Sequence, residues 1–329
     1  MKLNTPRNTT QYSLGRTSTF RAASSALFKA PWFDGFGTNL QNIEASMRAI
    51  YIPDDGYELA QADQSGAEAL IVAYLCKPAK YRDLFLNKVN PHCFLALHMF
   101  HEKWRMNSEF DIDGILKLEP KTIAQHGQYK EIFKYIKSSD EWPSNARYYY
   151  FSKQANHSAN YGIRWPAFQM NILEKSGGKV ALSKKDSEYI LSFYRTMYPE
   201  IPAWNYETMK CVSKTRTLFN LFGHPRYFHG VQNDAFFREA YAFVPQSTVG
   251  EITHIAFRDM QQYIEKEKKD WHLLANTHDS YLLEYPPAER EECHIKMKEY
   301  LEQWLTSPSG DKFQMRSEIK YGNNWAFKS

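Results

Sequence analysis

The placement of the strand-like segments constrains this chain most. Residues 57–63 read as a strand entering a turn, and residues 273–277 and 280–285 as the arms of a tight hairpin. Almost everything between them has helical character. An Ala-, Leu-, Ile- and Val-rich segment covers 65–75, a charged stretch covers 80–145, and further helices are expected at 147–161, 184–212 and 246–267. A shorter hairpin is expected over 218–228 around Gly223, and a last helix over 288–305. Gly162 and Pro166 read as the stop of the 147–161 helix. Strands that must find each other across a long helical interval describe an α+β fold, a sheet-bearing core interrupted by a helical insertion.

With 329 residues, 43% apolar and 24% charged, the chain can bury a sizeable core. Its 22 Tyr and 21 Phe suit stacking on bases, although most such rings serve as core. The net charge of +4 resides entirely in residues 1–48, where Lys2, Arg7, Arg16, Arg21, Lys29 and Arg48 face only Asp34 and Glu44. That segment can lie along phosphates or be a solvated terminus. Cys76, Cys93, Cys211 and Cys293 form no C-x-x-C pair, so neither a zinc site nor a disulfide framework is indicated. The opening MKLNTPRNTT has no apolar signal core and no apolar run reaches a membrane span. The expectation is a cytoplasmic protein (host cytoplasm, if viral) with no membrane partner.

Three stretches carry candidate chemistry, and each has an ordinary alternative. In Ala62-Asp63-Gln64-Ser65-Gly66-Ala67-Glu68, a carboxylate at a strand end ahead of a helix can bind a divalent metal. Ser65 and Glu68 also fit the S-x-x-E capping box, which explains both without any chemistry. In Thr277-His278-Asp279-Ser280, Asp279 can simply serve its turn. A second Asp is nevertheless what a two-metal site requires, where two cations stabilise the attacking and leaving oxygens. Lys153, His157 and Tyr161 recur every fourth residue, putting a cation for a triphosphate and two rings on one helix face. A plain amphipathic helix is the alternative.

Taken in order, these stretches resemble the family A DNA polymerases. That family's first palm motif, roughly D-Y-S-Q-I-E-L-R, is similar to Asp63-Gln64-Ser65-Gly66-Ala67-Glu68-Ala69-Leu70 at its Asp, Ser and Glu. The fingers motif, a Lys, then an aromatic or His, then Tyr-Gly, is similar to Lys153, His157 and Tyr161-Gly162, in the His-bearing form of viral members. The last palm motif, H-D-E, is similar to His278-Asp279-Ser280. Gly15-Arg16-Thr17-Ser18 with Asn39-Leu40-Gln41-Asn42-Ile43 resembles the family's G-R-x-S and N-L-Q-N segment. The hairpin at Leu221-Phe222-Gly223-His224-Pro225-Arg226, the pair Arg238 and Gln246, and Gly322-Asn323-Asn324-Trp325 complete the series. The resemblance runs from about residue 12 onward.

The resemblance implies a polymerase palm with an antiparallel sheet and a helical fingers subdomain. Residues 1–71 would be the N-terminal part of the palm, 72–215 the fingers and 216–329 the C-terminal part of the palm. It implies template-directed transfer of a dNTP to a primer 3′-hydroxyl by a catalytic subunit or fragment. Asp63 and Asp279 would bind two Mg²⁺ ions, with the Gln64 carbonyl as a further ligand. Lys153 would contact phosphates, His157 the sugar and base, and Tyr161 the entering template base, while Glu68 would exclude ribonucleotides. Arg16, Gln41, Asn42, Tyr161, Gly162, Arg238, Gln246 and His278 would touch primer–template DNA.

The family pattern is not followed throughout. Tyr149 stands where the family has an Arg four residues before the fingers Lys, and the nearest Arg is Arg147. Ser280 replaces the motif Glu, for which Glu284 is a candidate substitute. Only 14 residues precede the G-R-x-S segment, so a second polypeptide bearing thumb and exonuclease domains is expected. The rival readings are a catalytically weak or inactive polymerase-like DNA-binding subunit, an RNA-making polymerase, and a phosphatase or nuclease with paired Asp residues.

Overall fold

Strands from distant parts of the sequence make one four-stranded antiparallel sheet, in the order Ser317–Gly322, Glu58–Gln64, Ser280–Tyr285, His272–Asn276. The computed structural model describes residues 11–13, 23–25, 40–138 and 146–327. They fall into two compact units, one of residues 1–68, 219–225 and 243–329, the other of 69–218 and 226–242.

Register decides what each sheet face carries in the first unit. Asp63 lies opposite Ser280, Gln61 opposite Leu282 and Leu59 opposite Glu284, while on the other side Asp63 lies opposite Glu318. Side chains alternate along a strand, so Leu59, Gln61 and Asp63 share one face with Ser280, Leu282 and Glu284. Leu59, Leu282 and Ala275 on that face pack with Leu40 and Trp325, and Ile43, Tyr51 and Phe327 border the cluster. The opposite face, with Gln64 and Tyr281, meets two helices. Gln64 Nε2 donates to Thr253 Oγ1 (2.7 Å) on the helix Asp234–Glu267, and Tyr281 Oη to the Met297 carbonyl (3.3 Å) on the helix Arg290–Leu301. Ser280–Tyr285 is buried along its whole length, the mark of a central strand covered on both faces.

The second unit is helical. Pro91–Met99 lies at its centre, with Cys93, Phe94, Leu95, Ala96, Leu97 and Met99 buried, so the helix is apolar on every side. Buried Arg82 donates to the carbonyls of Ala73, Tyr74 and Cys76, satisfying acceptors that the end of the helix Ala67–Leu75 leaves unpaired. Tyr81, Tyr194 and Tyr198 pack edge to face, and Tyr194 Oη donates to Asn160 Oδ1 at 2.6 Å, whereas the buried Tyr198 hydroxyl has no partner among the described residues.

Four sequence expectations change here, three of them through proline. Pro166 starts the helix Trp165–Lys175 instead of only ending its predecessor, because the first turn needs no N–H from it. Pro245 sits inside a helix that begins at Asp234, well before residue 246, at the cost of one backbone hydrogen bond. The 184–212 helix is two, Lys184–Met197 and Glu200–Thr215, parted at Tyr198–Pro199. The expected 288–305 helix ends at Leu301, and Trp304–Thr306 pairs with Lys312–Gln314. No helix among the described residues is long and apolar enough to cross a membrane.

Candidate active site

Asp63 and Asp279 come together through the sheet. Asp63 is near the end of Glu58–Gln64, and the Gln64 amide donates to the Asp279 carbonyl at 3.0 Å. Asp279 occupies a two-residue turn closed by Thr277 and Ser280, whose backbone bond is 2.8 Å. His278, at the first central position, has φ +73°, the left-handed region that such a hairpin normally fills with Gly. The His278 amide is held by Asn276 Oδ1 at 3.2 Å, and Gln41 Nε2 reaches the Asn276 carbonyl at 3.1 Å. Gln41 therefore stands beside the turn, and Asn42 ends the same 3₁₀ segment, Leu40–Asn42. Arg16 lies outside the described residues.

Burial and a neighbouring carboxylate dominate the electrostatics of this corner. Burial first, then the negative charge of Asp279, pushes the Asp63 carboxyl up to about 7; Lys320 and Arg48 pull it down and Glu318 adds to the rise. The side chain still reaches water on its open side. Among the described residues no group of three or more His, Cys, Asp or Glu is disposed to hold a metal ion. Two carboxylates and a main-chain carbonyl remain, which suits Mg²⁺, an ion that commonly takes one or two carboxylates and fills its shell with water and substrate phosphate. The Gln64 side chain is turned away into the helix beneath, so only its main chain is free for such a role.

Glu284 does not replace the missing motif carboxylate. It lies four residues along the strand from Ser280, about 13 Å away at strand rise. It is buried there, accepting from the Asp54 amide (3.1 Å) and paired with His272 Nδ1 (3.0 Å). Glu318, opposite Asp63 on the edge strand, is the third carboxylate near the site, and sequence reading passed over it. The hint was the Ser317–Gly322 alternation, too short and too charged to stand out.

The Ser65–Glu68 capping box is also not formed. Gly66 has φ +60° and cannot be the first helical residue after a Ser65 cap; the helix starts at Ala67. Glu68 instead accepts a hydrogen bond from Gln246 Nε2 (3.3 Å), which joins two of the expected site residues within the first unit. Nearby, Glu251 fixes the 218–228 hairpin tip by accepting from Asn220 Nδ2 and pairing with His224 Nδ1, both at 2.7 Å.

In the second unit, Lys153 and His157 lie exposed on one face of the helix Ala146–Ala159. Tyr161 follows in the turn after the helix, half-buried, and Gly162 completes it at φ +70°. A Cβ on Gly162 would stand 3.2 Å from the Tyr241 ring, so the position is restricted twice over. His92, which sequence reading missed, packs against His157 with ring centroids 5.4 Å apart. Burial first, then the positive charges of His157, Lys153 and Lys137, hold His92 down to about 3. Its Nδ1 has no hydrogen-bond partner among the described residues. Tyr149 turns toward His92 and hydrogen-bonds Asn90, while Arg147 stacks on Tyr148. Arg238 is half-buried in the part of Asp234–Glu267 that belongs to this unit.

Residues 130–327 match the model of DNA polymerase family A. DNA polymerase I of Caldicellulosiruptor bescii is 21% identical over 299 residues, covering 87% of this chain and 29% of that protein. The thermostable DNA polymerase I of Thermus filiformis is 22% identical over 310 residues, covering 91% and 30%. The chain thus spans under a third of these relatives' length. The fold matches the POL domain of Pol1 from M. smegmatis, solved in complex with DNA primer-template and dNTP. That match has a TM-score of 0.67 at 18% identity, over 97% of this chain and 48% of that one. With well over half its length matched by the family model, this chain belongs to DNA polymerase family A.

Proposed function

We propose that this chain carries the catalytic palm and fingers of a DNA polymerase and adds dNTPs to a primer 3′-hydroxyl on a DNA template. One observation carries the reading. The register of Glu58–Gln64 against Ser280–Tyr285 sets Asp63 beside the turn that presents Asp279, and their repulsion is what a bound cation would relieve. Asp63, Asp279 and the Gln64 carbonyl would hold two Mg²⁺ ions, which when bound acidify the primer hydroxyl and neutralise the triphosphate. In this reading Lys153 binds phosphate, His157 packs on the nucleotide and Tyr161 meets the template base. Glu68, held by Gln246, closes the space at the sugar C2′. Gln41, Asn42, Gly162, Arg238, Gln246 and His278 would each touch DNA, and Arg16 joins them on sequence grounds.

Extension of a labelled primer by the purified chain with Mg²⁺ tests the proposal, with omission of the cation as control. Failure to extend at any Mg²⁺ concentration, with DNA binding intact, would favour the second reading, a polymerase-like DNA-binding subunit. Neutral Ser280 and Tyr149, each in place of a charged family residue, are the observations on that side.

A further inference from the structure

The sheet face that carries Asp63 also carries a run of neutral hydrogen bonds that catalysis by two carboxylates leaves unexplained. Gln61 is two residues before Asp63 on the same face. Its Nε2 donates to Ser280 Oγ at 2.6 Å and lies 3.4 Å from Thr277 Oγ1. Its Oε1 accepts the indole N–H of Trp325 at 2.9 Å. The hydroxyls of Thr277 and Ser280 meet each other, and all three partners, Ser280, Thr277 and Trp325, are buried. Both ends of the Gln61 amide are therefore used, in a place where an unpaired polar atom is costly.

Thr277 and Ser280 are the closing pair of the turn that presents Asp279, with left-handed His278 between them. A backbone conformation unfavourable for His persists only where its surroundings over-determine it. Gln61 supplies that restraint from outside the hairpin, and Trp325 fixes Gln61 in turn. We propose that Gln61 is a positioning residue of the polymerase site: it holds the Thr277–Ser280 turn, and through it Asp279, in register with Asp63. The inference rests on the polymerase reading and deepens it. Where the family carries a motif carboxylate, this chain carries a neutral clamp anchored on the strand that bears Asp63. One strand then sets both metal-binding carboxylates, the first by its own backbone and the second by a side chain.

The test is Gln61→Leu in the full chain, with Mn²⁺ binding followed by electron paramagnetic resonance without DNA or nucleotide. Second-layer residues of metal sites typically contribute about tenfold or more in affinity, so Mn²⁺ affinity should weaken by about that factor. In primer extension kcat should fall comparably, while KM for dNTP stays unchanged. Ser280→Ala removes the acceptor with a smaller change in shape and should act in the same direction. The double variant should be no worse than Gln61→Leu alone, because both break one interaction. Glu284→Gln is the control for plain destabilisation: it disturbs buried bonds in the same sheet and should lower Tm without moving Mn²⁺ affinity. Wild-type Mn²⁺ affinity and kcat in Gln61→Leu and Ser280→Ala would overturn the proposal, as would an affinity loss in Glu284→Gln matching its loss of Tm. A wild-type chain that neither binds Mn²⁺ nor extends a primer would overturn the polymerase reading and this inference together.

Discussion

The two units solve different placement problems. In the first, the candidate groups sit on a sheet and a tight turn, where register sets each position and hydrogen bonds such as Gln64 to Asp279 lock it. In the second, Lys153 and His157 stand exposed on a helix whose Tyr148 and Phe151 pack against Phe100 and Trp104. Cations need ligands placed closely, and strand pairing supplies that. A flexible triphosphate needs charge within reach, which an exposed Lys on a well-anchored helix supplies. The contrast implies that substitutions of Asp63 and Asp279 in the first unit act on kcat and those of Lys153 and His157 in the second on KM.

The most severe way to break that contrast is Asp63→Ala or Asp279→Ala. Either should lower primer extension by several orders of magnitude, about 10³-fold or more, since the site loses one of its two proposed metal-binding carboxylates. The fold should survive. The Asp63 carboxyl is pushed up to about 7 from an ordinary value near 4, so ionising it costs the folded state stability as pH rises through that window. Asp63→Ala should therefore melt no lower than wild type at pH 8 without metal, as calorimetry would show. A mutant extending at the wild-type rate would remove the assignment.

Next comes Lys153→Ala, which should raise KM for dNTP by about tenfold to a hundredfold, the worth of a charge-assisted hydrogen bond, with less change in kcat. Steady-state kinetics with a single dNTP read this directly, and the opposite split between kcat and KM would erase the division between the units. A smaller effect is expected from pH. A cation must displace the proton on Asp63, so the half-saturating Mg²⁺ concentration should rise as pH falls below 7, by up to about tenfold per unit. A flat dependence between pH 6 and 8 would mean that Asp63 is not a ligand.

The mildest expected change is in sugar choice. Glu68→Ala should raise rNTP incorporation relative to dNTP by a factor of order ten while leaving dNTP kcat nearly intact. Its stability cost should be small, because Glu68 accepts from Gln246 and caps nothing with Ser65. An unchanged ratio in competition assays would leave Glu68 as a positioning partner of Gln246.

Much of this was legible in the residues. The strands at 57–63, 273–277 and 280–285 showed as segments bounded by turns, and Asp63 and Asp279 stood out as candidates through the ordered resemblance to the family's palm motifs. What stayed hidden was non-local. Nothing near Gln61 indicates that its amide will meet Ser280 and Trp325. The strand Ser317–Gly322 is short and carries Glu318 and Lys320, so its pairing with Glu58–Gln64 became visible only once the sheet was assembled. Proline misled in the other direction. Pro166 read as a helix stop and residue 246 as a helix start, but the first turn of a helix tolerates one proline and a long well-packed helix absorbs another.

The sheet order bears on how such a chain is made. Synthesis delivers residues in sequence, and units fold as they complete. The helical unit is nearly contiguous, so it can close while later residues are still being added. Glu58–Gln64 cannot, because both its neighbours in the sheet come from beyond residue 279, and Gln61 meets Trp325 264 residues downstream. That strand emerges well ahead of both partners and stays unpaired until they follow. Its Leu59 and Ala60 are exposed for that time, a window in which a chaperone, or an inappropriate neighbour, has first access to the edge that later carries Asp63.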